Sequence, residues 1–450
     1  MTEGSHTAAL TSAERKSIVF GTAFRVVGTP LVALIGLANT AVIVRATGEA
    51  VFGLVSLVTT LSLLLPFADL GIGAVITTAC SKAGGENRAR AVATVQKGFR
   101  VLSMVAGALV LVSLVVMATD SWAVLVGTSS GPADRFAITV AACLVALGIP
   151  AGIGVRILIG LDLNPLAVAV TMANAAFALL ITLALNAADI APIWLAVSSA
   201  GGALIGNALA TVLAVRRMGV GLRLFAPPEA KYVGGGLMTG SLWLFVASVG
   251  LPLGLHSHRL MLAHASDAAE LSRYALMAQI YGIGWMVFST AGMALWPVFV
   301  KRRHDEKASL ELWLKSTAAF MIASLAAALG LILLGPWAAA LISGSSVVPQ
   351  RSLAIAFAAL LVVQCVHLPA GVMMTMPREA RWQSGCLFAM GVTTVALGLW
   401  WAGGHGAVGV VAAAVVASVV ALLLPDFLWI PRLLRRRARE HDSSPVVDVT

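Results

Sequence analysis

The chain has 450 residues, 59% of them hydrophobic and 11% charged, with a mean hydropathy of +0.94. That balance excludes a soluble globular protein and places the chain in a membrane. The net charge of +10 would suit nucleic acid, but basic loops confined to one face of a bilayer give the same sum, so their placement decides.

The first 16 residues are polar and run straight into a long apolar stretch. There is no short apolar core with a small-residue cleavage site, so the first helix is expected to act as an uncleaved signal anchor. Twelve apolar runs follow, at about 17–44, 51–77, 99–118, 136–159, 166–187, 193–215, 237–262, 271–299, 312–334, 352–375, 382–401 and 406–430. Each has about the length needed to cross ~30 Å of hydrocarbon as a helix. The narrowest separation is Asp162-Leu163-Asn164-Pro165, a proline-containing turn.

The basic residues test this count. With the N-terminus inside, 24 Lys and Arg fall in inner loops and tails and five fall outside, at Arg45, Arg135, Arg259, Arg273 and Arg351. The asymmetry satisfies the positive-inside rule, predicts cytoplasmic termini and removes any need for nucleic acid. The tail from Arg432 to Arg439 reads as a topogenic or lipid-headgroup-binding segment. Cys80, Cys143, Cys365 and Cys386 are scattered without a CxxC, so no disulfide framework or zinc site is expected.

The first two runs form a hairpin across Arg45-Ala46-Thr47-Gly48-Glu49 and carry the embedded charges Arg25 and Asp69. Each lies eight residues from the inner end of its run, roughly 12 Å deep at ~1.5 Å per residue, so the two can pair. An unpaired charge at mid-bilayer costs at least ~2.5 kcal/mol. Two readings stand side by side: a structural ion pair, or a cation on a substrate path that Asp69 orients or balances.

Sliding the chain on itself by 219 residues sets Gly21–Arg88 against Gly240–Lys307 without a gap. Arg45 falls opposite His264, Lys82 opposite Lys301 and Arg88 opposite Lys307. The expectation is an all-α polytopic membrane protein: about twelve transmembrane helices in two six-helix parallel-repeat lobes around a central cavity. The predicted layout is an N-tail at 1–16, one lobe at 17–215, a basic linker at 216–236, a second lobe at 237–430 and a basic C-tail at 431–450. Gly202 with Gly206 and Gly236 with Gly240 have the spacing of close helix packing. Helix prolines, among them Pro30, Pro66, Pro150, Pro252 and Pro369, permit bending.

Arg45 to Glu49, then Phe52-Gly53-Leu54, then Asp69-Leu70-Gly71-Ile72-Gly73 resemble the opening of polysaccharide flippases similar to Wzx. These belong to the MOP superfamily, which also holds MATE exporters and lipid II flippases. Tyr274 and Trp296-Pro297-Val298-Phe299 are similar to later parts of that pattern. The resemblance implies a flippase, with no covalent chemistry of its own, that turns a polyprenyl-phosphate or -pyrophosphate oligosaccharide across a bacterial plasma membrane by alternating access. The implied cofactor set is empty apart from a coupling ion, H+ or Na+, or the membrane potential. The implied partners are the glycan substrate, membrane lipids, and a glycan polymerase and glycosyltransferases.

A pyrophosphate crossing hydrocarbon needs cations, and the arginine fork suits phosphate. Arg25 is then an inner station balanced by Asp69, while Arg45, Arg259 and Arg273 gather near the outer ends of the first, seventh and eighth runs. Related flippases often carry an acidic residue near the outer end of the seventh span, where this chain has His256-Ser257-His258-Arg259. His256 and His258 lie two apart, on different helix faces, which disfavours a shared metal but leaves either free to link transport to protons. Asn39, Asn174, Asn207, Gln279, Gln364 and His367 line a hydrated path or tie helices together. Competing readings are a cation-coupled MATE-type drug exporter, whose cavity should favour acidic groups, and a membrane glycan polymerase or ligase. The chain has no GxxxxGK[ST], HExxH or DxD to support ATP hydrolysis or metal catalysis.

Overall fold

The computed structural model describes residues 12–60, 72–81, 87–126, 131–228, 250, 253–302, 305–374 and 377–442, with the side chains of 12–27, 29, 50, 74, 297, 301, 377, 378, 380 and 438–442 outside that description. The described elements are all helices. Hydrocarbon offers no partner for backbone N–H and C=O groups, so each span must satisfy its own.

Among the described residues, nine helices are long and apolar enough to cross a membrane. The last of them, Arg381–Arg437, has 57 residues and would reach roughly 85 Å if straight, far more than a bilayer needs. It turns instead at Gly406, where φ is 54° and ψ is −136°. Gly398 and Ala413 would stand ~22 Å apart on one straight helix, yet a Cβ on Gly398 would lie 3.9 Å from that of Ala413. The run is therefore a hairpin, matching the expected eleventh and twelfth spans. Parts of the expected runs 51–77 and 237–262 lie outside the described residues, which retain Val51–Thr60, Ile72–Ser81 and His258–Ala265 from them.

The chain forms two compact units. The first comprises Met1–Asn39, Leu65–Asp120 and Pro132–Ser241, and its core gathers Ile76, Val95, Leu102, Ile153 and Ile157. Its fourth span is broken: the helix Pro132–Ala151 stops after Pro150 and a new helix, Ile153–Gly160, begins beyond Gly152. The Thr211 hydroxyl bridges the break, donating to the Ala151 carbonyl at 2.6 Å and accepting from the Gly154 N–H at 3.0 Å. Beside it lies a cavity of about 320 Å³ whose lining includes Gly152, Arg156, Thr171 and Asn207. Gly202 and Gly206 do pack closely: Cβ atoms there would come within 2.5 Å of the Ala178 nitrogen and 1.8 Å of Asn174 Oδ1. Gly236 and Gly240 lie outside the described residues.

The second unit comprises Thr40–Leu64, Ser121–Gly131 and Leu242–Thr450. The first hairpin turns within it at Gly48, where φ is 67° and ψ is 179°, a conformation open to glycine almost alone. The stretch between the third and fourth spans, expected as a loop, holds a short helix, Trp122–Val126. Burial of Trp122 and Val126 among neighbours supplies what the local sequence does not advertise.

Candidate functional site

Polar side chains converge in the second unit, near the turns of its hairpins. Arg273, one residue before Tyr274 in the helix Ala268–Met293, stands between two carboxylates. Its Nε is 3.2 Å from Glu49 Oε1 and its Nη1 donates to Glu270 Oε1 at 2.9 Å. The second oxygen of Glu270 accepts from the Ala407 N–H at 2.9 Å, just past the Gly406 turn. Ser272 donates to the Glu49 carbonyl. Arg273 is thus neutralised, and it ties the first hairpin turn to the last.

Arg45 is committed differently. Its Nε and Nη2 donate to the Ile342 and Leu341 carbonyls at 3.0 and 2.9 Å, capping the C-terminal end of the helix Glu306–Ser343. The Leu341 carbonyl otherwise receives only the long 3.5 Å contact from the Gly344 N–H at the helix cap, and a cation there also complements the helix dipole.

Arg259 is the exception. Its half-buried guanidinium donates through Nη1 to Thr60 Oγ1 at 2.9 Å and to the Ser56 carbonyl at 3.4 Å. Among the described residues no carboxylate lies within ion-pair distance of it. Preceding it, His258 is fully buried, with Nδ1 2.9 Å from the Tyr274 hydroxyl and the rings edge to face at 5.6 Å. Tyr274 and Tyr281 flank Phe357 at 5.4 and 5.3 Å, and the Tyr281 hydroxyl and His258 Nε2 are buried without partners. Tyr274 lies within electrostatic reach of Arg259, and Phe357 and Tyr281 extend the ring cluster behind Tyr274. His256 is half-buried, within electrostatic reach of Arg259 and His258, and no cluster of three metal-ligating side chains occurs among the described residues.

The structure therefore brings Arg259, His258 and Tyr274 together, and sets Arg273 and Arg45 to holding turns. The Arg25 side chain and Asp69 lie outside the described residues. Sequence reasoning missed Glu49 and Glu270 as the partners of Arg273, although Glu270 and Arg273 have the three-residue spacing of a helical ion pair. It also passed over Asp426, which meets His367 Nδ1 at 2.6 Å. Of the tail arginines, Arg437 is buried against Glu379 and Arg435 approaches Glu306 at 3.7 Å, so part of that segment is structural.

A family model described as polysaccharide biosynthesis protein matches residues 18–303, more than half of the chain. No curated protein matches it by sequence. Among solved structures, a multidrug resistance MATE family transporter of the MOP superfamily, in an inward-facing conformation, aligns with a TM-score of 0.67 and 13% identity over 90% of this chain and 96% of its own. A MOP superfamily transporter from Pyrococcus furiosus aligns at 0.62 with 14% identity, over 94% and 96% of the two chains. The lipid II flippase MurJ, in an inward closed conformation, aligns at 0.61 with 13% identity, over 95% and 93%. At such identities the likeness is one of fold, and it extends over nearly the whole chain.

Proposed function

Because the chain belongs to the polysaccharide biosynthesis protein family and is a multi-pass membrane protein with the fold of MATE and MurJ structures, we propose that it is a flippase for a polyprenyl-linked oligosaccharide. The substrate is a glycan precursor on a phosphate or pyrophosphate carrier, moved across a bacterial plasma membrane by alternating access, with both termini cytoplasmic. The protein acts as a transporter and makes or breaks no covalent bond. Glycosyltransferases that build the precursor and a polymerase that extends it are the partners such a step needs.

The observation that carries this reading is the contrast between Arg273 and Arg259. Two carboxylates claim the first, whereas the second is held by a hydroxyl and a carbonyl, which fix its position and leave its charge uncompensated by any described carboxylate. A cation placed by neutral groups is suited to receive an anionic phosphate, because the planar fork has further N–H donors to offer. An exporter of organic cations would want the reverse polarity. In this scheme Arg25 and Asp69 form the inner station and Arg259 the outer one, while Arg273 and Arg45 hold the helix turns that position it.

The test is reconstitution in liposomes with a fluorescent polyprenyl-pyrophosphate oligosaccharide. Leaflet exchange by the wild type, lost in Arg259→Ala and in Arg25→Ala, is the expected result. Uptake of an organic cation without glycolipid movement would transfer the protein to the drug-exporter class.

A further inference from the structure

His367 and Asp426 form a buried acid–base pair on the tenth and twelfth spans. Their side chains are 13% and 6% exposed, with Nδ1 and Oδ2 2.6 Å apart. We propose that this pair is the proton-binding site that couples the transport cycle to a pH gradient; the inference rests on the transporter reading above.

The chemistry favours a proton over sodium. One carboxylate and one imidazole hold a proton well, whereas a hard cation wants a shell of several oxygens, and no third metal-ligating side chain joins them among the described residues. With the proton on, the pair is a buried imidazolium–carboxylate couple of zero net charge. With it off, a carboxylate is left in an apolar setting beside a neutral ring. An uncompensated buried charge is unfavourable, and a neutral ring offers Asp426 only one N–H, so deprotonation favours movement of Asp426 toward water or another donor. Proton loss and side-chain movement are thereby coupled.

Both helices are built to yield at this level. The turn Val419–Leu423, immediately before the helix that carries Asp426, is wound as a π-helix, a form with one residue inserted and common at functional sites. Pro425 supplies no N–H to it. In the tenth span Pro369, two residues after His367, leaves the Cys365 carbonyl without its helical donor. Gly371 makes room beside the ring: a Cβ there would stand 3.5 Å from His367 Nε2 and 3.0 Å from Gln383 Nε2.

The neighbouring elements bring few competitors. The eleventh span brings the Cys386 thiol into the field of Asp426, together with the Gln383 amide. Toward the ends of the eleventh and twelfth spans, Glu379 and Arg437 are paired with each other. The ninth span packs Trp313 on Phe427, while its own Glu311 and Lys315 pair at the surface. The eighth span meets this region through Gly292 against Leu368. None of these groups can take over the charge of Asp426 without a change of geometry.

Two measurements on the full-length protein test the inference. The first is pH-difference infrared spectroscopy of the protein in lipid bilayers, comparing an acidic with an alkaline buffer. The wild type should show paired carboxyl and imidazole bands that vanish in Asp426→Asn, in His367→Gln and in the neutral double variant, which serves if either single variant folds poorly. The second is glycolipid movement under an imposed pH gradient. One unit of gradient should bias net movement of the wild type by up to about tenfold for one proton per cycle, and the variants should retain movement that ignores the gradient. Absent bands, bands that persist in all three variants, or a gradient response that persists in them would each overturn the inference. Pair-specific bands in a protein that moves no glycolipid would leave the proton site standing and remove the flippase reading.

Discussion

Arg45 and His264, which the 219-residue repeat sets opposite each other, both close on main-chain carbonyls. Arg45 donates to Leu341 and Ile342, and the two nitrogens of His264 lie 2.8 Å from the Leu260 and Val124 carbonyls. Each stands near the turn of the opening hairpin of its half and holds a neighbouring helix end to it. The repeated position is one that carries a carbonyl-binding side chain, whichever residue supplies the N–H.

Arg45→Ala should therefore lower stability, by about 1 kcal/mol for a lost helix cap. Thermal unfolding in detergent is the check. Transport per folded molecule should stay near the wild-type rate, and a collapse of transport at unchanged melting temperature would return Arg45 to the substrate path.

Arg259→Ala should cut glycolipid movement by roughly 10- to 100-fold, the equivalent of a charge-assisted contact worth ~1.5–3 kcal/mol. Arg259→Lys keeps the charge but not the fork and should recover only part of the rate. Thr60→Val removes the hydroxyl that aims the guanidinium and should give an intermediate loss. The measurement is initial rate in liposomes at matched protein density. A lysine variant equal to the wild type would reduce the role of Arg259 to bulk charge.

Glu270→Gln should destabilise the second unit by ~1–3 kcal/mol, because it weakens the pair with Arg273 and the bond to the Ala407 N–H together. Glu49→Gln should cost less, since Glu49 makes the longer contact and Glu270 still faces the guanidinium. Comparing the two melting temperatures decides the order.

Gly406→Ala and Gly48→Ala separate two kinds of strain. Both positions have positive φ, costing ~1–3 kcal/mol for a residue with a Cβ. A Cβ at Gly48 meets nothing within 4 Å, but one at Gly406 would come 2.5 Å from Glu270 Oε2. Gly406→Ala should be the more damaging, and adding Glu270→Ala should relieve part of its excess. Melting temperatures of the two single variants and the double variant give the answer.

Much of the architecture was legible in the chain because the bilayer simplifies the problem. A span must be apolar for about 20 residues and must satisfy its own backbone, so hydropathy reports each crossing directly. The motifs from Arg45 to Gly73 pointed to the family whose model matches residues 18–303. Broken helices were harder to read, since Pro150 and Pro369 look alike in sequence. Only the packing of Thr211 against the fourth span turns the first into a full interruption, whereas the second stays within one helix.

The sequence by itself determined that this is an all-helical membrane protein, and which few charges lie within or near its apolar runs. Tertiary structure decided what those charges are for. Arg45, Arg259 and Arg273 are chemically identical and all lie near helix ends, yet one caps a helix, one is shared by two carboxylates and one is held, among the described residues, by a hydroxyl and a carbonyl. His367 and Asp426 are 59 residues apart in the chain and 2.6 Å apart in space. A charge takes its role from the partners within a few ångströms, and those are set by how the helices pack rather than by local sequence.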